Sequence, residues 1–301
     1  MQRQGNAIRS DLALECHAMA LAAMGDGSRM EGVRSGERVE DRYRIQSVEI
    51  ESEAAAERIG KPVGRYRTVT LPPFSSAATD CAGAAGVVAG VLRELLLPLP
   101  EEAATLVCGL GNDAITPDAL GPRVIEETLA TRHLGGALAR EAGLEGLRPV
   151  AAVIPGVLGR TGIQTNEIVE GIAHRIHPGC LIAIDALAAR ALDRLGCTIQ
   201  LSDAGITPGS GVGGRRGELS RRTLGIPVIA VGVPTVVDAR TLAADLCGSG
   251  PDGGWPGEAM MVTPKEIDLL IARAAHILAR ALNLALQPAL TPEEIDSLTA
   301  L

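Results

Sequence analysis

Two aspartates, Asp185 and Asp118, have the sequence surroundings most suggestive of chemistry. Asp185 directly follows residues 180–184, an apolar run that is typical of a strand buried on both faces. Because burial disfavours the ionised form, we expect the pKa of a carboxyl group at the end of such a strand to be raised. A carboxylic acid in that state can carry protons near neutral pH. The alternative role for Asp185 is structural, in a pair with Arg190 or with a backbone amide.

Asp118 lies in the loop that follows another apolar run, residues 105–108. The loop begins with Gly109 and Gly111, as in a dinucleotide-binding loop, but the third glycine of that motif is missing. The tripeptide ending at Asp118 is Thr-Pro-Asp, typical of a helix start, so helix capping is the alternative role for this residue. If the two loops converge, like charges held close cannot both ionise. The ionised carboxylate could then take a proton from water while the protonated one polarises a carbonyl group.

Two further segments carry candidate residues for a binding groove. Residues 202–217 are rich in glycine and could cradle an anion or face a substrate, although the Walker spacing is absent. Asp238 follows the last apolar run, and it and Asp203 are interpreted as supporting or capping residues. The candidate groove residues are Gly109, Gly111, Asn112, Asp203, Gly209, Ser210, Gly211 and Asp238.

The apolar runs and the segments between them predict an α/β fold. The runs are residues 105–108, 150–154, 181–184 and 228–233. Helical patterns lie between or beside them, at about 76–97, 119–132, 165–176, 186–194, from 235, and from 263 to about 286. This alternation predicts a mostly parallel central sheet with helices on both faces, and ligands beyond the carboxyl ends of its strands. Residues 39–50 and 64–71 alternate in polarity and predict half-exposed strands in a hairpin or at an edge, after a turn-rich stretch over 25–36.

Composition narrows the class of function. The net charge of −8 argues against a phosphate-backbone partner, and aromatic residues, at 1%, are too few for base-stacking platforms. The histidines lack zinc-ligand spacing, and the six cysteines lack C-x-x-C spacing, which favours buried reduced thiols. We find no apolar run near the ~20 residues of a membrane helix and no secretion signal, so we expect no membrane association and a protein that stays where it is made.

Distinctive sequence blocks lie at residues 9–15, 109–112, 116–122, 131–134, 148–150, 155–157, 161–163, 182–190, 202–203, 205–206, 208–213, 226–230, 232–239 and 261–268. Taken together and in this order, these blocks resemble the germination protease family of spore-forming bacteria, a family of spore endopeptidases. They span nearly the whole chain, and several are long and unusual.

The resemblance implies an aspartic-type endopeptidase that degrades small acid-soluble spore proteins during germination. It implies Asp118 and Asp185 as the catalytic pair, without a cofactor or metal, in a fold similar to hydrogenase maturation proteases (phosphorylase/hydrolase-like). It also implies a homotetramer in the cytoplasm of the forespore or spore core, with no direct nucleic-acid partner. The chain would comprise a propeptide, 1–11, and one catalytic domain, 12–301, with a flexible loop at 246–258 that is shorter than in many relatives.

The family is made as a zymogen that removes its own N-terminal peptide. The implied cleavage motif is an acid, an apolar residue, alanine, a variable residue and glutamate, and residues 11–15 fit it. Self-cleavage is therefore expected between Asp11 and Leu12. The structural alternative is that Ser10 or Asp11 simply caps a helix that runs to about residue 24. Two functional alternatives also stand, a metal-dependent peptidase that uses the same acids and a catalytically silent module that binds nucleotides or peptides.

Overall fold

A computed structural model describes residues 10–25, 30–97, 99–100, 102–134, 146–208, 217–247 and 260–299. The strands in these ranges are β1 Val33–Glu40, β2 Tyr43–Ile50, β3 Gly64–Thr70, β4 Thr105–Gly109, β5 Val150–Val153, β6 Cys180–Ala189, β7 Thr198–Ser202, β8 Val228–Asp238 and β9 Met261–Val262. The helices are α1 Ala13–Met24, α2 Glu53–Ile59, α3 Cys81–Leu96, α4 Leu120–Glu126, α5 Leu158–Thr161, α6 Thr165–Ile176, α7 Arg221–Leu224, α8 Ala239–Cys247, α9 Ile267–Leu286 and α10 Pro292–Thr299. Single 3-10 turns occur at Thr116–Asp118 and Leu192–Arg194.

The strands form one mixed sheet in the order β1-β2-β3-β7-β8-β6-β4-β5, with β9 added beside β8. The α/β class is confirmed, but the prediction of a mostly parallel sheet is wrong. Strands β5, β4, β6 and β8 run parallel to one another. The other five strand pairings of the described residues are antiparallel. The difference arises because β7 joins the sheet between β8 and β3 and so attaches the β1–β3 meander to the parallel half. The implied likeness to hydrogenase maturation proteases stays a prediction.

Strands β6 and β8 are longer than the sequence pattern indicates. The predicted helix over 186–194 is wrong, because β6 continues to Ala189 and is followed only by the 3-10 turn. The helix expected from residue 235 begins at Ala239 instead. Both extensions have one cause, since the two strands pair with each other far beyond the end of β4 at Gly109. Ladder hydrogen bonds and burial between these partners outweigh the helix propensity of the alanines in β6.

Helices cover both faces of the sheet, as predicted. Helices α3, α4 and α9 pack on one face over an aliphatic core that includes Val107 and Ile182. Helix α6 packs on the other face over Leu106 and Leu181, and α1 and α2 pack over the neighbouring part of the sheet. The alternation of adjacent residues between the two cores is that of strands buried on both faces.

Several element boundaries differ from the sequence prediction. Helix α6 has the predicted bounds of 165–176, and the predicted strands at 39–50 and 64–71 correspond to β2 and β3. The stretch over 25–36 was predicted to be turn-rich, but its last part, from Val33, is β1, the exposed edge strand that pairs with β2. Helix α9 begins at Ile267 rather than near Thr263. The expected loop at 246–258 lies outside the described residues, except for 246–247, which end α8.

Helix α9 organises the face of the core on which it lies. Among the described residues it is the one helix long and apolar enough to cross a membrane by length and composition, yet most of it is buried inside the protein. It is a core helix that contacts α3, α4 and the 116–118 turn. Its C-terminal end also holds the chain after α4, because the Asn283 amide accepts from Leu129 N–H and donates to the Glu127 carbonyl, at 2.9 and 3.0 Å.

The cysteines of the described residues are unpaired thiols. They are Cys16, Cys81, Cys108, Cys180 and Cys197, of which all but Cys81 are buried. This confirms the expectation of buried reduced thiols for these four, whereas Cys81 is half-buried, and the side chain of Cys247 lies outside the described part of the chain. Burial raises the pKa of the Cys180 thiol to about 12. Such thiols are inert, so these residues serve packing.

Candidate active site

A cavity of about 780 Å³ opens on the sheet face that carries α1, α2 and α6. It lies over β6, β7 and β8, where the parallel and antiparallel halves of the sheet meet. Asp118 and Asp185 both line it, together with Asn112, Asp11 and Gln200. The structure thus brings the two sequence-predicted acids to one cavity.

Asp185 lies inside β6 rather than at its end, but it occupies the position that the sequence argument required. The shorter neighbouring strand β4 stops at Gly109, which pairs with Ile184, so Asp185 is the first residue of β6 beyond that strand. Its side chain is only 7% exposed, and its Oδ1 accepts from the Ala186 N–H at 2.9 Å. Burial, and to a lesser degree the Asp185 carboxylate, raise the pKa of the Cys108 thiol.

Asp118 ends the 3-10 turn at Thr116–Asp118. Its Oδ2 accepts a 2.9 Å hydrogen bond from the N–H of Asn112, so the carboxylate closes the loop onto itself. Helix α4 begins after it with Ala119 as N-cap and no side-chain cap. The capping alternative for Asp118 therefore does not describe what its carboxylate does here. The turn contacts both β6 and β8, and this holds Asp118 over the strand that carries Asp185.

Gly109 and Gly111 shape the loop that carries Asp118. A Cβ atom at Gly111 would lie 2.0 Å from the Asp118 carbonyl oxygen, and its φ of +112° is also unsuited to other residues. At Gly109 a Cβ atom would lie 2.3 Å from the carbonyl oxygen of Gly121, where β4 and α4 cross closely. Gly109 and Gly111 thus allow the close backbone contacts that shape this loop. The third candidate of the loop, Asn112, lines the cavity itself.

Thr235 is a positioning residue that the sequence analysis missed. It is fully buried in β8, and its Oγ1 donates a 2.8 Å hydrogen bond to the carbonyl of Pro117, the residue before Asp118. The Thr235 carbonyl in turn accepts from Thr263 Oγ1 at 2.9 Å. The hydroxyl of Thr235 thus fastens the acid-bearing turn to the sheet. The sequence feature that indicates this role is a threonine within an otherwise apolar buried strand.

The other acidic candidates have structural partners. Asp203 binds Arg65, with Oδ1 accepting from the backbone N–H and Oδ2 from Nε, both at 2.7 Å, and this joins the end of β7 to β3. Asp238 caps α8, because its Oδ1 accepts from the N–H groups of Arg240 and Thr241 at 3.1 and 3.0 Å. Gly209, Ser210 and Gly211 lie outside the described residues.

The segment around the expected self-cleavage bond lies in the same cavity. Helix α1 begins at Ala13 with Leu12 as N-cap, and no side chain caps it, contrary to the capping alternative for Ser10 and Asp11. Asp11 instead pairs with Ala188 of β6 through two hydrogen bonds, from Asp11 N–H to the Ala188 carbonyl and from Ala188 N–H to Asp11 Oδ2. Leu12 is fully buried beside Leu187 and Ala189.

In the described part of the chain, no group of three or more His, Cys, Asp or Glu side chains is arranged to hold a metal ion. The two acids of the cavity are oxygen donors, and a divalent ion there would need further oxygen ligands from backbone or water. What these acids can do unaided is exchange protons with a water molecule and with a bound peptide carbonyl.

Comparison with known proteins identifies relatives of this chain. Residues 13–248 match the family model described as germination protease. The germination protease of Clostridium perfringens is 38% identical over 96% of this chain and 98% of that protein. The germination protease of Caldanaerobacter subterraneus is 41% identical over 97% of this chain and 98% of its own length. That of Priestia megaterium is 36% identical over 97% of both chains. The chain therefore belongs to the germination protease family, and its cavity is the candidate active site of a peptidase.

Proposed function

We propose that this chain is an endopeptidase of aspartic type in which Asp118 and Asp185 activate a water molecule together. The observation that carries the proposal is that two carboxyl groups, from the loop after β4 and from β6, line one cavity with a peptide segment of the chain beside them. Family membership supplies peptide-bond hydrolysis. The proposal adds which side chains perform it.

In the proposed mechanism one carboxyl group is ionised and the other is protonated. The ionised group takes a proton from water as the water oxygen attacks the peptide carbonyl, and the protonated group donates a hydrogen bond to the carbonyl oxygen. A proton then passes to the leaving nitrogen as the C–N bond breaks. The burial of Asp185 favours a neutral acid, which makes it the candidate to hold the shared proton.

We further propose small acid-soluble spore proteins as the substrates and self-removal of residues 1–11 as the activating step. The sequence resemblance supports both. So does the position of Asp11, which lines the cavity that contains the two acids, while the neighbouring Leu12 is buried against Leu187 and Ala189. A homotetramer and a location in the forespore or spore core belong to the same proposal. Light scattering of the purified chain and fractionation of spores test these two points.

The deciding experiment compares Asp118→Asn and Asp185→Asn with a matched control, Asp238→Asn. All three substitutions remove one carboxylate in or beside the same sheet, but Asp238 caps a helix. We expect both cavity variants to lose at least ~10³-fold in kcat on a small acid-soluble spore protein, by analogy with loss of one member of a catalytic unit. The control should stay within a few-fold of the natural chain. Full activity in either cavity variant removes the dyad.

The metal-dependent alternative makes a different prediction for the same assay. Chelation would abolish cleavage by a metal peptidase and would leave an acid dyad unaffected. Mass spectrometry of the N-terminus tests the activating step separately, since the natural chain should lose residues 1–11 and begin at Leu12. A chain that binds peptides but cleaves none would instead be the silent binding module.

A further inference from the structure

We propose that the end of β6 and the side chain of Gln200 form the site that recognises the cleavage motif of peptide substrates, and that residues 11–15 occupy this site in the precursor. The inference rests on the proposed peptidase function and deepens it, because it assigns the specificity of the cavity to particular groups. The ligand class is a peptide that carries an acid, an apolar residue, a small residue, a variable residue and a second acid.

The strand edge supplies the first part of the site. Beyond Asp185, β6 still pairs with β8 on one side. On its other side, the pairing with β4 stops at Ile184. A strand edge of this kind offers main-chain N–H and C=O groups to an extended peptide. Ala188 uses both of these groups on Asp11, with distances of 2.9 Å to the backbone N–H and 2.8 Å to Oδ2. The second bond requires a side-chain acceptor, so the first position of the ligand favours an acid.

The second and third positions of the ligand are selected by the closely packed apolar surroundings of their side chains. Leu12 is fully buried against Leu187 and Ala189. Leu187 can occupy this position because a nearby residue of β8, Gly232, has no side chain. A Cβ atom at Gly232 would lie 2.6 Å from Leu187 Cγ. Ala13 is fully buried in the cluster under α1, where a larger side chain would overpack its neighbours.

The last two positions differ sharply from each other. Leu14 is only half-buried, so the site tolerates variation there. Glu15 is buried, and its carboxylate is held in a fork, with Oε2 accepting from the N–H of Arg190 at 2.8 Å and Oε1 from the N–H of Ala191 at 2.9 Å. Hydrogen bonds to a charged acceptor are the stronger kind, and a neutral amide cannot accept at both atoms. A glutamate is therefore selected at this position.

Gln200 sets the register of the peptide over the acids. Its Nε2 donates to the Asp11 carbonyl at 3.2 Å and its Oε1 accepts from the Ala13 N–H at 2.7 Å, so one amide clamps the backbone on both sides of Leu12. Gln200 and Asp185 both pair with Gly232, which places the three in one row across the sheet. Residues in such a row share a face, and the outer two lie about 10 Å apart between Cα atoms, from two strand spacings. The residue that clamps the Asp11 carbonyl thus lies in the row that also carries Asp185.

A binding experiment tests the site without depending on cleavage. The probe is a fluorescent peptide of residues 9–19 with serine in place of the cysteine, and the protein is the full chain carrying Leu12→Asp, which expels its own segment from the apolar pocket. Mass spectrometry verifies that the peptide stays intact, and circular dichroism that the chain is folded. We expect binding by Leu12→Asp and at least tenfold weaker binding by the natural chain, whose site is occupied.

Specificity is tested with matched changes on each side of the contact. Adding Gln200→Leu should weaken binding at least tenfold, with Gln200→Glu intermediate because it keeps the acceptor for the alanine N–H. In the peptide, Glu15→Gln should weaken binding at least tenfold, and Leu14→Gln should stay within twofold. Equal binding of all these peptides, or no effect of Gln200→Leu, overturns the proposal.

A second measurement covers the case in which Leu12→Asp fails to fold. Ala191→Pro removes one N–H of the glutamate fork at a residue whose φ of −91° is near that of proline. We expect it to reduce the ratio of kcat/KM between peptides with glutamate and glutamine at the last position from tenfold or more to about twofold. A merely structural role for this strand end would lower both values equally and leave the ratio unchanged, which overturns the proposal. If the natural chain cleaves no peptide, the proposed function falls, while the binding experiment still decides the site.

Discussion

Replacing Thr235 by valine should separate the positioning of Asp118 from the stability of the fold. The substitution keeps the shape of the fully buried side chain but removes the hydroxyl that donates to the Pro117 carbonyl at 2.8 Å. Loss of this hydrogen bond leaves a half-buried carbonyl without that donor, which should lower the free energy of unfolding by about 1–2 kcal/mol. The acid-bearing turn would also lose its attachment to β8.

The effect on catalysis should exceed the effect on stability. A displacement of a reacting group by about 1 Å can reduce the rate ~10²-fold, so we expect a 10- to 100-fold lower kcat with KM nearly unchanged. Thr235→Ser is the matched control, because it loses a buried methyl group yet keeps the donor. It should cost about 1 kcal/mol of stability and retain kcat within a few-fold.

The assay is steady-state cleavage of a small acid-soluble spore protein, together with urea unfolding of each variant. Thr235→Val with kcat within twofold of the natural chain would refute the positioning role. Thr235→Ser with the same loss of kcat as Thr235→Val would also refute it, because packing and not the hydroxyl would then be responsible.

Four other predictions concern single residues. Gly111→Ala should lower the free energy of unfolding by at least ~3 kcal/mol or prevent folding, whereas Gly162→Ala, with a φ of +71° but open space around it, should cost about 1 kcal/mol in the same urea titration. Iodoacetamide at pH 8 should label Cys81 well before Cys180, whose pKa of about 12 leaves roughly one thiolate in 10⁴. The pKa of the Cys180 thiol is raised above its unfolded value of 9.0, so the thiol should contribute fully to stability below pH 9. This contribution should decline as the pH rises from 9 towards 12, and urea unfolding at pH 8 and pH 10 measures the decline. Asp238→Ala should lower thermal stability by about 1 kcal/mol through loss of a helix cap, and equal stability in calorimetry would contradict the capping role.

The parallel half of the sheet was predictable, because strands buried on both faces are continuous apolar runs. Residues 105–108 and 228–233 stand out in this way. Strand β7 was not predictable by the same rule, since its Thr198, Gln200 and Ser202 are polar and yet buried against the cavity. The length of β6 was also not predictable, because its last residues include alanines, which favour a helix. These residues form a strand because they pair with β8.

The convergence of Asp118 and Asp185 on one cavity was predictable because each follows an apolar run, and parallel strands bring such positions to one edge. The polar side chains that hold the neighbouring segments were not. Thr235 and Gln200 act through hydrogen bonds to the backbone of distant segments, at Pro117 and at Asp11, and no local spacing records such pairs. Asp203 and Asp238 illustrate the converse, since acids at strand ends are also used to bind an arginine and to cap a helix.

The contacts of helix α9 impose an order of events on the synthesis of this chain. The turn that carries Asp118 rests against a helix whose last residue is Leu286, so the ribosome must complete most of the polypeptide before that acid has its support. Contacts across such a long sequence separation form late. In a nascent chain, the turn that carries Asp118 therefore lacks its packing against α9 until translation is nearly finished.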